Sequence, residues 1–397
     1  MIHITSKTHS RLATAIVSFD AGSRVEAIKG YNAGIAHMLE HSIFKGSVNR
    51  TASEINRQMA YYGGSMNAYT SHENVAYYVT APVDTIEPCL DILSDIVFNP
   101  IFPEDEFLKE KEVVTEEEIS TNDQPMRYFG KIFFDNLFDN YLADPVIGTQ
   151  ESIARFTNEE VKSFYKEYCT KEHAVISLCS NLSKGKSSEL LKKYFGKPTG
   201  RIKPVAKFSM SNYLDSRVIT AYKPGIEHTY VLMGMPTLPL KSNLGGAVEI
   251  LNTIMGSGMD SRLFAEVREG AGLVYQIGSS YNDYQNGAVT LISFSTREQN
   301  VESAIQIIDD QLSAIKLTPP TEEEVQRAKN KIKASFYSAI EDSYSIANWD
   351  VKRKLFDYPT VDEYLFGIDL VTPEAVMEAA NRLYEQDKRL TLICRGR

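Results

Sequence analysis

Residues 34–46 read GIAHMLEHSIFKG. Two of the chain's seven histidines, His37 and His41, stand four apart there, with Glu40 directly before the second. Ala36, Leu39 and Ile43 recur at helical spacing, so residues 33–43 are predicted to form a helix. Side chains four apart on a helix project from one face, about 40° apart around the axis. That spacing lets two imidazoles grip one ion. Zinc is the usual metal for imidazole and carboxylate ligands in a hydrolytic site. Glu40 can reach a metal-bound water without itself being a ligand, as a general base must.

A catalytic zinc needs a third protein ligand and an open position. His72, His173 and His228 are available, but His72 falls in a turn between strands and His173 just before one. The glutamate-rich stretch LKEKEVVTEEEIS, residues 108–120, offers more. Glu110 and Glu117 are seven apart, on nearly the same helix face, and Val113 and Val114 give that helix a buried side. One carboxylate would bind the metal while the other orients a ligand. Without the histidines, the same stretch reads as a solvated acidic face.

The chain has 397 residues, 43% of them hydrophobic, and a formal charge of −10, so a folded core is expected and global disorder is not. The acidic balance disfavours nucleic-acid and anionic-membrane surfaces. Cys89, Cys169, Cys179 and Cys394 form no CxxC pair and read as reduced core residues. No signal peptide and no apolar run of membrane-spanning length is recognised, which gives a cytoplasmic expectation.

Outward from the histidine helix, residues 12–22 read as a strand. TASEINRQMAYYG begins a helix capped by Thr51 or Ser53, with Ile55 and Met59 inward and Gly63-Gly64 as its stop. SMNAYTS and NVAYYVTAPV read as strands joined near Ser71–Glu73. Residues 83–97, 104–120 and 157–168 read as helices, and HAVISLCS as a strand. GKPTGRIKPVAK, residues 196–207, breaks all periodicity and reads as a linker.

The halves on either side of that linker resemble each other. In the second, AVEILNTIM, GSG, SRLFAEVREGAG, LVYQIGSSY and GAVTLISFST follow in the same order as the first half's helix, turn, helix and two strands. Aligning Gly64 with Gly272 places Tyr275 on Asn67 and the histidine helix near Gly245–Glu249, where no histidine occurs. The expectation is an α+β chain of two homologous domains, each a mainly antiparallel sheet with helices on one face. Residues 1–200 would hold the metal and residues 201–397 would not.

HMLEH followed by EKEVVTEE resembles the pitrilysin family of zinc metallopeptidases, the inverzincins, whose members include insulin-degrading enzyme and the mitochondrial processing peptidase. Glu117 lies 76 positions beyond His41, close to the family's interval, with Glu110 seven before it and Pro125 eight after it. Glu118 is a rival ligand one residue later. FDAGSRVEA, GGSMNAYTSHENVAYY and DPVIGTQESI also resemble family segments, so the likeness covers almost the whole chain; CSNLS at 179–183 departs from the more usual glycine-rich ending.

The resemblance implies one Zn²⁺ per chain held by His37, His41 and Glu117, with Glu40 as base and Glu110 assisting. It implies peptide-backbone contacts at Asn67, Ala68 and Tyr69. Arg268 and Tyr275, seven apart, match the family's pair that holds the substrate carbonyl and stabilises an oxyanion. It further implies a processing-peptidase-like, two-domain branch in which each chain is half of a clamshell chamber. The expected activity is endopeptidase cleavage of short or unfolded peptides in a homodimer, or in a heterodimer with a related chain. The other readings are a non-catalytic or partner-dependent scaffold subunit of the same family, and a metal-dependent carrier.

Overall fold

A computed structural model describes residues 1–138, 142–203, 205, 216–285, 287–384 and 388–396. Of the expected linker, residues 204, 206 and 207 lie outside the described residues.

In chain order the first elements are β1 (Ile2–Lys7), β2 (Leu12–Phe19), α1 (Ile35–Ile43), α2 (Ala52–Tyr61), β3 (Ser65–Thr70) and β4 (Val75–Pro82). They are followed by α3 (Ile86–Phe98), α4 (Glu104–Asp123), α5 (Pro125–Leu137), α6 (Gln150–Arg155), α7 (Asn158–Tyr168), β5 (Ala174–Ser180) and α8 (Lys184–Phe195). Then come β6 (Arg217–Tyr222), β7 (Thr229–Thr237), α9 (Gly245–Gly256), a π-helix (Phe264–Gly270), β8 (Val274–Tyr284) and β9 (Gly287–Thr296). The chain ends with α10 (Val301–Leu317), α11 (Glu322–Ala339), α12 (Ser343–Phe356), α13 (Val361–Asp369), α14 (Pro373–Leu383) and β10 (Leu390–Arg395).

The strands form two five-stranded sheets, ordered β1-β5-β2-β4-β3 and β6-β10-β7-β9-β8. These are the same topology twice. In each, one edge strand pairs in parallel and the remaining pairs are antiparallel. The mainly antiparallel α+β expectation holds.

One unit comprises Met1–Thr121, Asp144–Lys207 and Tyr337–Asp357; the other comprises Asn122–Ala143, Phe208–Phe336 and Tyr358–Arg397. A single cut near residue 200 therefore does not describe the clustering, because α5 and α12 each belong with the other half's sheet. α5 follows α4 as α12 follows α11, so the exchanged helices are counterparts in the repeat.

The exchange also alters the one-face expectation. In the first unit, Ala13, Ala15, Val17 and Phe19 of β2 point into the main core with α1, α3 and α8. The alternate residues face α12: Thr14 Oγ1 lies 2.8 Å from Ser343 Oγ, and Asp350 accepts from Ser6 (2.5 Å) and Ser177 (3.2 Å). In the second unit, Phe129, Phe133 and Leu137 of α5 pack with Leu232, Val289, Leu390 and Leu392. A Cβ on Gly234 would collide with the Phe133 ring, so this glycine lets α5 lie close on the sheet. Each sheet is thus covered on both faces.

Several local readings match. Thr51 and Glu54 form a reciprocal capping box at α2, and Thr157 and Glu160 form another at α7. Ile55 and Met59 are buried, and Gly63 ends α2 with φ +66°. All four cysteines are free and buried. Among the described residues no helix is long and apolar enough to cross a membrane.

Candidate metal centre

α1 starts without a side-chain cap of its own. Instead Glu26, buried in the core, accepts from the backbone N–H groups of Gly34 (2.8 Å) and Ala36 (2.9 Å). Gly34 adopts φ +95°, and a Cβ there would lie 2.6 Å from the Ile147 carbonyl oxygen, so glycine is required. Ile35, Met38, Leu39, Ser42 and Ile43 then face the core. His37, Glu40 and His41 are left together on the remaining face.

α4 supplies the third group. Its buried stripe is Phe107, Glu110, Val114 and Glu118, two of them carboxylates, an arrangement that requires partners. Val113, expected on the buried side, is exposed, because it falls one residue off this stripe. His37 Nε2 lies 3.8 Å and His41 Nε2 3.4 Å from Glu117 Oε2, and the three donor atoms all fall within 4.8 Å of one another. A tetrahedral zinc with bonds of ~2.0–2.1 Å needs donor separations of about 3.3–3.4 Å, so the set fits with small side-chain adjustments. The donor chemistry, two imidazoles and a carboxylate, fits zinc as well. Among the described residues no other group of three possible ligands comes together in this way.

Glu118 does not join the set. It turns inward and accepts from Gln150 Nε2 at 3.1 Å, while Glu117 lies beside the two histidines. The other histidines are elsewhere: His72 Nδ1 lies 3.0 Å from Ser23 Oγ, His173 Nδ1 lies 3.0 Å from Thr170 Oγ1, and His228 is exposed.

Glu110 Oε2 lies 3.0 Å from His41 Nδ1, and its other oxygen lies 2.6 Å from Lys45 Nζ. A carboxylate at Nδ1 fixes the tautomer that leaves the Nε2 lone pair aimed at the Glu117 side. Burial, with His41 adding to it, pushes the pKa of His37 down to about 4, so the imidazole is neutral and able to ligate. Burial raises the Glu40 carboxyl above the ordinary range, opposed by a hydrogen bond from Thr70 and by His41. Thr70 Oγ1 donates to Glu40 Oε2 at 2.5 Å. That contact was not legible in the sequence: NAYTS marks a strand, but not what its last threonine touches.

β3 is the edge strand of its sheet. Ser71 N–H pairs inward with Asn74, while Ala68 N–H is satisfied by its neighbour Asn67 Oδ1 at 2.8 Å. The alternation leaves the backbone of 66, 68 and 70 facing outward. The Tyr69 side chain is tied up, donating to Asn348 (2.7 Å) and accepting from Asn74 (3.1 Å), and its backbone faces inward to Ala76 of β4, so neither is presented outward.

In the second unit the Arg268 guanidinium lies 4.6 Å from the Phe264 ring centroid and 5.3 Å from that of Tyr275. Arg268 rides on the π-helix, a form frequent at functional sites. The pairing of β8 with β9 slips between Val274 and Gln276, so Tyr275 is the extra residue of a bulge and is 75% exposed. Beside Arg268 a cavity of about 360 Å³ is lined by Met126, Tyr230, Gln276 and Ser293, among others. Glu249, the counterpart of His41, is engaged elsewhere, accepting from the Tyr364 hydroxyl at 2.7 Å.

Two domains of one repeated topology, the first carrying an HxxEH helix beside a glutamate helix, define a metallopeptidase-type scaffold. Residues 1–150 match the family described as Insulinase (Peptidase family M16), and residues 155–332 match the Peptidase M16 inactive domain. The chain belongs to peptidase family M16. It is 30% identical over 378 residues to an uncharacterized zinc protease of Mycobacterium leprae, covering 94% of this chain and 84% of that one. It is 29% identical over 369 residues to the uncharacterized zinc protease YmxG of Bacillus subtilis, covering 91% and 88%. In fold it is similar to the crystal structure of a protease from Helicobacter pylori, with a TM-score of 0.89 at 23% identity over 99% and 96% of the two chains. A peptidase M16 inactive domain from Pseudomonas fluorescens gives 0.87 at 19% identity over 100% and 95%.

Proposed function

We propose that the chain is a zinc-dependent endopeptidase of the processing-peptidase-like branch, cleaving short or unfolded peptides. The observation that carries this reading is the convergence of His37, His41 and Glu117 with Glu40 on the same helix face. One zinc ion per chain would be held by His37, His41 and Glu117. Such an ion supplies Lewis acidity toward a water molecule and the scissile carbonyl.

The chain's own residues do the rest. The outward backbone of β3 accepts an extended peptide as an added strand. Thr70, at the end of that strand, holds the Glu40 carboxylate in place. Glu40 takes the proton from the attacking water and passes it to the leaving amine nitrogen. Arg268 and Tyr275 donate to the substrate carbonyl as negative charge develops on its oxygen. We assign the zinc residues to one protomer and the Arg268–Tyr275 pair to its partner in a homodimer that encloses the peptide.

The test is cleavage of unstructured peptides of roughly 15–30 residues, a length suited to strand addition. Zinc-loaded wild type is compared with Glu40→Gln. Cleavage by wild type alone supports the reading. Equal silence from both, with zinc bound, sinks it and favours a scaffold subunit.

A further inference from the structure

The edge of the first sheet opposite β3 carries a second groove, well away in sequence from the metal residues. β1 is that edge strand. A cavity of about 380 Å³ runs along its residues 3–5. Lys184 and Lys192 of α8 flank it on one side, and Arg353 and Lys354 at the end of α12 on the other. Among the described residues no carboxylate lines it. None of the four cations makes an ion pair among the described residues. In a chain of formal charge −10 this is a local inversion of sign.

The backbone adds a second feature. β1 pairs with β5 along one side only. Among the described residues its outer side is closed only at the start, where Thr199 N–H donates to the Met1 carbonyl at 3.1 Å. At residues 3 and 5 the backbone groups that do not pair with β5 lie along the groove. Lysines on a sheet edge also serve to block unwanted pairing. Here, however, the cations come from both flanking helices and converge on one hollow, which suits an occupant with negative charge on both faces of an extended backbone.

We propose that this groove docks an acidic peptide segment as an added strand beside β1, with its carboxylates reaching Lys184 and Lys192 on one face and Arg353 and Lys354 on the other. The backbone supplies register and the four cations supply selectivity. The proposal is independent of the metal reading.

The experiment uses the full chain carrying Glu40→Gln, so that the probe stays intact, and a fluorescein-labelled 12-residue peptide of repeating Glu-Glu-Val-Val, which puts carboxylates on both faces of an added strand. Fluorescence anisotropy is expected to show saturable binding that weakens at least tenfold in Lys192→Glu/Arg353→Glu and, as a second variant, in Lys184→Glu. N-methylation of alternate peptide amides abolishes it, and a Lys-for-Glu peptide does not bind. Affinity unchanged by charge reversal overturns the site. Equal binding of the N-methylated peptide, or full displacement by tripolyphosphate at matched charge, overturns strand docking in favour of a simple anion site.

Discussion

His41 is oriented by Glu110, and that single contact has a measurable consequence. Glu110→Gln weakens the carboxylate hold on Nδ1 and is expected to lower zinc affinity about 10–100-fold, read by competition with a chromogenic chelator. Thr70→Val is expected to reduce kcat about tenfold with KM little changed, because the base loses its positioning partner while the strand edge is intact. Thr70→Ser should restore most of the rate; a Ser variant as slow as Val would argue against positioning. The histidine pair and Glu40 were legible because α-helical spacing is a local rule. Glu117 was legible only as one of two neighbours, since a shift of one residue turns a side chain by about 100° and spacing along the chain does not choose. In the structure Glu118 turns inward toward Gln150, and Glu117 is the one that lies with the histidines. Thr70 was not legible at all, because a strand and a helix meet there through the fold.

At the scale of elements, α1 depends on how the chain enters it. Gly34→Ala forces a Cβ against Ile147 and a left-handed φ on a non-glycine residue, and is expected to cost on the order of 1–3 kcal/mol in urea unfolding. The turn joining β3 to β4 carries His72, whose pKa burial holds near 4, below the ordinary 6.5. The unfolded chain therefore binds a proton at higher pH than the folded chain does. This contribution is complete above about pH 6.5 and is lost as pH falls toward 4. His72→Gln should flatten that loss when urea midpoints at pH 7 and pH 5 are compared. Caps, strands and the β3–β4 turn were legible because their signals are local. The bulge at Tyr275 was not, since two strands must be paired before a residue can be extra.

For the whole molecule, the linker suggested two halves that stand alone, and the repeat was legible from the order of its segments. The exchange of α5 and α12 was not, because an amphipathic helix carries no mark of which of two similar sheets it will cover. Fragments cut at residue 200 are accordingly expected to fail: 1–200 lacks α12, leaves the Ile16 and Ala76 face bare, and should bind ANS without a cooperative urea transition. A fragment 1–200 that unfolds cooperatively would contradict this. The proposed composite site predicts complementation. Glu40→Gln and Arg268→Ala chains, each inactive alone, should regain part of the wild-type rate when mixed and reassembled, and strict inactivity of the mixture would count against a shared site.

The exchange also sets a clock on biosynthesis. The first sheet is fully translated once β5 ends at Ser180, yet the helix that covers its second face, Ser343–Phe356, leaves the ribosome only after residues 181–342 have been made. At ~5–20 residues per second that interval is on the order of ten seconds, during which a nascent chain carries an uncovered sheet face on which Ile16 and Ala76 sit among Thr14, Ser18 and Ser177. A trigger-factor-like holdase would find its longest dwell on this chain between those two landmarks, and release would coincide with the arrival of α12.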